Sequence, residues 1–467
     1  MTETLSSRGR DIVHDLAEFA GEARYEDLPA DAITGAKKTI LDTLGVILAA
    51  SGVEPALSPI IELLRESGGR AESSVLGFGG KAPALMAAFA NGAMAHCLDF
   101  DDQTPWGQHA GSSIIPAVFA VAERKGGVTG QDLLAGVAVG QDIFARLRRN
   151  IDWRKDWNLS TTMGVFAATA AASRVLRLPP EQVANALSIA SMQSSGVNET
   201  VFATGSDLHG IYAGFSAKGA ALATLLAQKG TTGVSTLFEG EHGVFNTYFA
   251  GRYDRENMVK DLGQVFHGGT TLYKFWPSVG TSHGHIHAVI QILAEQSLHI
   301  DEVSEIRVFV GDHHELMCRP LPARRTPATA VDAKFSLPFL VAVAAVRGTV
   351  VVSDFDEATR QDPAILAAAE KVVPVADTTL DWEYDMLPGR VEIRTRDGRS
   401  FTKTGNALPG SPESPLTWDQ VALKFGTCAA AAMNQPTYKQ IAEAQEIART
   451  MESQADATSL IRAVQND

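Results

Sequence analysis

The sequence predicts a mainly α protein, an all-helical domain built from both chain ends with an α+β domain inserted between them. Three observations carry this. Apolar residues recur at helical spacing through the first 265 or so positions, alternating β-branched stretches follow, and helical spacing returns from about residue 418. The helical domain is expected over 1–267 and 405–467, and the α+β domain over 268–404. At 467 residues the chain exceeds the size at which one core usually stops growing, so two domains are the ordinary outcome.

Residues 32–51 place Ile33, Ile40, Leu41, Leu44, Ile47 and Leu48 mostly three or four apart, which makes one broad apolar helical face. Helices are expected next over 82–98, 114–124, 131–148, 163–176 and 180–192. Two have legible starts: Pro179-Pro180-Glu181 sets proline at a first turn, and Thr129 precedes an acid-bearing turn at Asp132. The run Ala167–Ala172, with its single threonine, permits close helix–helix approach. Glu305–Val310 alternates as a strand, and Arg390–Arg396 with Asp397-Gly398 and Ser400–Thr402 reads as a hairpin with a type I′ turn. Helices are expected between them over 335–346 and 363–372, and at the end over 418–433 and 437–465, with a polar mobile tail after about Ser459.

Composition narrows the function. A 45% hydrophobic fraction with 20% charge is that of a globular chain with a large core. The net charge of −14 argues against nucleic acid or an anionic membrane as partner. Cys97, Cys318 and Cys428 are widely spaced and make no CxxC, which fits a reducing cytoplasm. The first residues lack a signal pattern, and no uncharged apolar run reaches the roughly 20 residues that span a bilayer. A soluble cytoplasmic protein is expected.

Several motifs occur in a telling order. They are Asp42-Thr43-Leu44-Gly45, then Asn91-Gly92 running to His96 and Asp99-Phe100-Asp101-Asp102, then His109-Ala110-Gly111-Ser112. Gly164-Val165-Phe166, Leu208-His209, Lys274 with Pro277 and His283, and Ala333-Lys334-Phe335-Ser336-Leu337 follow. In this order and spacing the chain resembles the MmgE/PrpD family of 2-methylcitrate dehydratases, cis-aconitate decarboxylases and iminodisuccinate epimerases. The likeness runs from about residue 40 to 340. It implies a homodimeric enzyme that handles a proton beside a carboxylate of a small carboxylate substrate, with no metal and no organic cofactor.

Such a step needs a general base and donors that hold the carboxylates. By resemblance, Asp99, His109, Lys274 and His283 supply those roles, and Asn158, Ser206, His209, Arg146 and Asp102 are the candidate substrate contacts. Histidine suits the work because its ordinary pKa, about 6.5, lies near neutrality. Asp101 and Asp102 read slightly better as structural acids at a helix end, and His96 and His209 read equally well as core or site groups. Lys274 stands in an aromatic stretch with Tyr273, Phe275 and Trp276, where a lysine needs an anion beside it.

The pattern also departs from the family. Where members commonly carry histidine in "H-P-T" the chain has Asn158-Leu159-Ser160, and where they carry lysine before Leu-His it has Ser206, followed by Asp207. The decarboxylase's tyrosine is absent, with Leu316 near its place. Fewer cations imply a substrate with fewer carboxylates, or one whose amine or hydroxyl bonds Asp207 and Asn158. A zinc reading of His283, His285 and His287, with His313 and His314 a short way on, lacks a completing ligand, and Gly280-Thr281-Ser282-His283-Gly284 fits GxSxG by letter without the strand a nucleophile elbow requires.

Overall fold

The computed structural model describes residues 9–382, 388–405 and 408–465. Helices dominate, and the hydrophobic side chains gather into two cores. One core spans Ile12 to Tyr273 and resumes from Leu416 to Val464, so both chain ends enclose it. The second runs from Trp276 to Ile393. The cores change over between Tyr273 and Trp276, the stretch that carries Lys274.

In the first core the helices Ala30–Val53, Ala84–His96, Gly111–Lys125, Gly130–Arg149, Gly164–Val175 and Leu208–Gln228 pack on one another. Small residues set their spacing. A Cβ built on Gly92 would sit 2.8 Å from the Gly214 Cα, and one on Gly214 would sit 2.5 Å from the Phe89 carbonyl oxygen. The Ala84–His96 and Leu208–Gln228 helices therefore meet backbone to backbone, which brings His96 and His209 to the same end of the pair. The Leu208–Gln228 helix is long and apolar enough to cross a bilayer by length and composition, yet it carries Lys218 and two thirds of its apolar window lies inside the core. Its alanines pack on helices on more than one side.

The small sheet of the second core has the order β4-β3-β5-β6. Its strands are β3 (Val303–Val310), β4 (Val372–Ala376), β5 (Gly389–Thr395) and β6 (Ser400–Gly405); a two-residue ribbon of β1 (Ser73–Ser74) and β2 (Lys81–Ala82) lies apart. β5 and β6 form the expected hairpin, with Arg394 opposite Ser400, but its turn is not the type I′ expected, because Gly398 has a positive φ, 89°, and Asp397 does not. β4 was not expected. The helix forecast to reach residue 372 stops at Glu370, and Val372–Ala376 pairs in parallel with β3 as an edge strand, where Pro374 is tolerated.

The C-terminus differs from expectation. The forecast helix over 437–465 ends at Arg449, and the chain re-forms a helix at Ser459–Val464. That segment is no loose tail, because Leu460, Ile461 and Val464 are buried in the first core. The Ala457 amide donates to the Val128 carbonyl at 2.7 Å and the Gly130 amide to the Gln454 carbonyl at 2.8 Å. Those bonds clamp the end of the chain to the start of the Gly130–Arg149 helix.

Candidate active site

The site grows from the end of the Ala84–His96 helix. Past Cys97 the chain turns at Asp99, whose φ of 49° lies in the left-handed region and whose amide donates to the His96 carbonyl at 2.7 Å. The loop that follows is pinned at Gln103, which exchanges two backbone hydrogen bonds with Leu272 at 2.8 and 3.0 Å. This bridge carries Lys274 to Asp99 across more than 170 positions of sequence. The ammonium donates to the Asp99 carboxylate and, at 2.9 Å, to the Asp99 carbonyl.

Burial pushes the Asp99 carboxyl upward, but Lys274, His209 and His96 together hold it well below the usual carboxylate range. It is therefore ionised at neutral pH. Two imidazoles face it: His109 Nε2 stands 3.9 Å from one carboxylate oxygen and His209 Nε2 stands 3.8 Å from the other. Each ring is fixed from behind. His109 Nδ1 donates to the Asp102 carbonyl at 2.7 Å, and His209 Nδ1 donates to the Val201 carbonyl at 3.0 Å. A carbonyl only accepts, so Nδ1 carries the proton in both rings and each neutral ring presents an Nε2 lone pair.

Behind His109 lies Asp101, fully buried, which accepts from His96 Nδ1 at 3.0 Å and lies 3.2 Å from His109 Nδ1. Burial would raise its carboxyl, but the two imidazoles hold it far below the ordinary value. Next to it, Asp102 goes the other way. Burial, with Asp101 and Asp42 nearby, pushes it up to about 8. Its oxygens accept from the Gly111 amide at 3.0 Å and the Thr39 hydroxyl at 3.1 Å.

A pocket opens in front of Asp99, His109 and His209. Asn158, Ser160, Gln103 and Thr281 give it polar walls, and Trp153, Tyr212, Phe335 and Trp382 give it aromatic ones. Ser160 accepts from the His109 amide at 3.0 Å, and Asn158 Oδ1 accepts from the Ser160 amide at 3.0 Å. The Asn158 Nδ2 group is buried without a hydrogen-bond partner. Trp382 belongs to the second core's segment and meets Trp153 edge-on at 5.4 Å, so the wall is shared across the two cores. Among the described lining residues there is no lysine or arginine.

Of the expected residues, the structure brings Asp99, His109, Asn158 and His209 to the pocket. Lys274 and His283 stand one layer back. Lys274 is spent on Asp99, and His283 is buried against Trp276, its pKa lowered to about 3 by burial and by Lys274. Three substrate contacts need correction. Arg146 is buried elsewhere, with its guanidinium taken by Asp142 and by the carbonyls of Met258, Lys260 and Val265. Ser206 accepts from the Leu208 amide at 3.2 Å and lies outside the pocket lining, as does Asp102, which braces the loop from behind. Leu316 lies 40% exposed in the short Asp312–Leu316 helix.

Sequence reasoning missed Gln103, Ser160, Tyr212, Thr281, His313 and Trp382 as lining residues, which reach the pocket from six separate segments. Trp382 had no signal because nothing local marks a ring that meets its site across a domain boundary. His96, Asp99, Asp101 and His109 bring donor atoms within 4.8 Å of one another, the one such described cluster suited to a cation. Within this cluster the Asp99 carboxylate is already paired with the Lys274 ammonium, and Asp101 accepts from the His96 ring. The histidines once considered for zinc are committed to the second core: His285 Nε2 bonds the Phe309 carbonyl at 2.8 Å and His314 Nε2 the Thr281 carbonyl at 3.1 Å.

Residues 14–256 match the MmgE/PrpD N-terminal domain and residues 276–450 the MmgE/PrpD C-terminal domain. The chain belongs to the MmgE/PrpD family. It is 25% identical over 475 residues to a cis-aconitate decarboxylase of Aspergillus terreus, covering 96% of this chain and 95% of that protein. A cis-aconitate decarboxylase of Mus musculus is 24% identical over 97% of this chain and 94% of its own. A 2-methylcitrate dehydratase of Salmonella typhimurium is 23% identical over 84% of each. The gap between the two family matches, 257–275, coincides with the change of cores. The second match runs on through the helices Trp418–Ala430 and Tyr438–Arg449, which fold back onto the first core.

Proposed function

We propose that the protein is a lyase that removes the proton beside a carboxylate of a small hydroxy-carboxylate, with His109 as the base. The observation that carries this is the His109 ring: Nδ1 is tied to the Asp102 carbonyl while Nε2 faces the pocket and the ionised Asp99. Abstraction leaves negative charge on the substrate carboxylate, and the free Asn158 Nδ2 is a donor placed for it. His209, on the other oxygen of Asp99, in its protonated form delivers a proton to the leaving hydroxyl. Asp99 supports a cation on either ring, and Lys274 keeps it ionised throughout.

The substrate class follows from the wall. A tricarboxylate left without cationic partners in such a pocket would be costly to bind. Neutral amides, hydroxyls and aromatic faces match a ligand with one or two carboxylates. A second reading has one support: two imidazoles on opposite oxygens of one carboxylate suit an epimerase, in which one ring takes the proton and the other returns it. Solvent-deuterium exchange by NMR over a panel of mono-, di- and tricarboxylates, with His109→Gln as control, tests both. Exchange with a new ultraviolet-absorbing double bond supports the lyase, and exchange without one supports the epimerase. Robust turnover of methylcitrate or cis-aconitate would overturn the substrate class, and exchange that survives His109→Gln would overturn the base.

A further inference from the structure

We infer that Asp101 is a positioning residue of the site, a buried carboxylate held by His96 whose charge beside His109 Nδ1 favours the ring form with Nδ1–H inward and Nε2 free. The inference rests on His109 as the proposed base, but its geometry stands without a substrate. Asp101 is fully buried, and both His96 Nδ1 and His109 Nδ1 approach its oxygens within 3.2 Å. The two rings also pack against each other at a tilt of 60°, with centroids 4.6 Å apart, and His96 rests on Tyr212 at 4.2 Å. His96 Nε2 is buried with no partner and does not line the pocket. The His96 ring thus acts as a prop that fills one side of the carboxylate and fixes where the other can point.

The argument turns on what a carboxylate can accept. Ionised Asp101 accepts the Nδ1–H of His96 and sets its negative charge 3.2 Å from His109 Nδ1, whose own N–H goes to the Asp102 carbonyl, so a lone pair on that nitrogen would face two oxygens. Asparagine of the same shape keeps a carbonyl for His96 and turns an amide N–H toward His109, which an unprotonated Nδ1 can accept. Without the carboxylate, His109 keeps only the Asp102 carbonyl to hold its Nδ1–H. Groups that face His109 are Asp99, Asp101 and Asp102 from its own loop, His96 from the Ala84–His96 helix, Ser160 from the next loop, and His209 and Tyr212 from the Leu208–Gln228 helix. Of these only Asp101 and Asp99 are anionic at neutral pH. Asp99 is already matched by Lys274, so Asp101 is the charge that His109 feels unshared by lysine.

The test is imidazole NMR of nitrogen-labelled full-length protein, which needs no substrate. In the wild type, His109 is expected as the Nδ1–H tautomer. In Asp101→Asn the two tautomers should mix, because the charge that disfavours a lone pair on Nδ1 is gone. His96→Asn, which leaves the Asp101 charge in place, should keep the Nδ1–H tautomer. Once a substrate is known, Asp101→Asn should lower kcat more than it raises KM. An Nε2–H tautomer in the wild type, or an Asp101→Asn protein that keeps the pure Nδ1–H tautomer, would overturn the inference. Deuterium exchange that fails in the wild type while these NMR couplings hold would instead sink the functional reading and leave the Asp101 grip intact.

Discussion

Replacing Lys274 by methionine is the sharpest perturbation of the buried charges. The side chains of Lys274 and Asp99 are 1% and 5% exposed, and the ammonium also holds the Asp99 carbonyl. Methionine keeps the length of the stem and deletes the charge, which strands an ionised carboxylate in the interior. Breaking one side of a buried pair in this way costs about 3–5 kcal/mol. The pH dependence has a definite sign. In the wild type the folded pKa of Asp99 is depressed, so its stabilisation is present above the unfolded value, about 3.9, and is lost only as pH falls through the lower folded value. In Lys274→Met burial acts unopposed by the lysine and the carboxyl moves up, so protonation relieves the variant. The stability gap between the two proteins should therefore be widest near pH 7 and narrow toward pH 4. Thermal melts of wild type, Lys274→Met and the Asp99→Asn/Lys274→Met double variant over that range provide the assay. The double variant should recover most of the loss at pH 7, because it removes both charges together. A single variant as stable as wild type at pH 7, or a gap that widens in acid, would refute the buried-pair reasoning.

Asp102→Asn should be no less stable than wild type at pH 6 and more stable at pH 8.5. The native carboxyl titrates near 8 and the unfolded one near 3.9, so wild-type stability declines as pH rises between them, which melts at the two pH values would show. Lys334→Met should cost about 3–5 kcal/mol, since Lys334 and Glu54 form a buried pair that joins the two cores and Lys334 also donates to the Cys97 carbonyl at 3.0 Å. Lys155→Ala, at a half-exposed pair with Asp312 on the same boundary, should cost no more than about 1 kcal/mol in the same melts. Asn158→His, which sets an imidazole among the pocket walls, should lower the Kd of a tricarboxylate by at least several-fold in calorimetric titration at pH 6, and an unchanged Kd would count against the cation-poor explanation of specificity.

The helical ends and the inserted sheet were legible because both rest on local periodicity. Apolar spacing along residues 32–51 and alternation along Glu305–Val310 are each visible within one stretch of chain. β4 was not, because the run Val372–Ala376 is short, carries a proline, and becomes a strand only by pairing with β3. The end of the chain reads as polar until its apolar residues find the groove beside Val128.

The sequence by itself determined the family and the helical character of both ends, and it singled out Asp99, His109, Asn158 and His209, which the fold brings to one pocket. It did so because those features are written in spacing and in motif order. Which charge meets which was decided only by tertiary structure. Lys274 and Arg146 are equally cationic in sequence, yet the Gln103–Leu272 bridge delivers one to Asp99 while the Gly130–Arg149 helix buries the other against Asp142. Asp99, Asp101 and Asp102 lie within four positions, and the fold sends two far below the ordinary carboxylate range and one up to about 8. A carboxylate's state depends on desolvation and on neighbours a few ångströms away, and most of those neighbours come from distant segments.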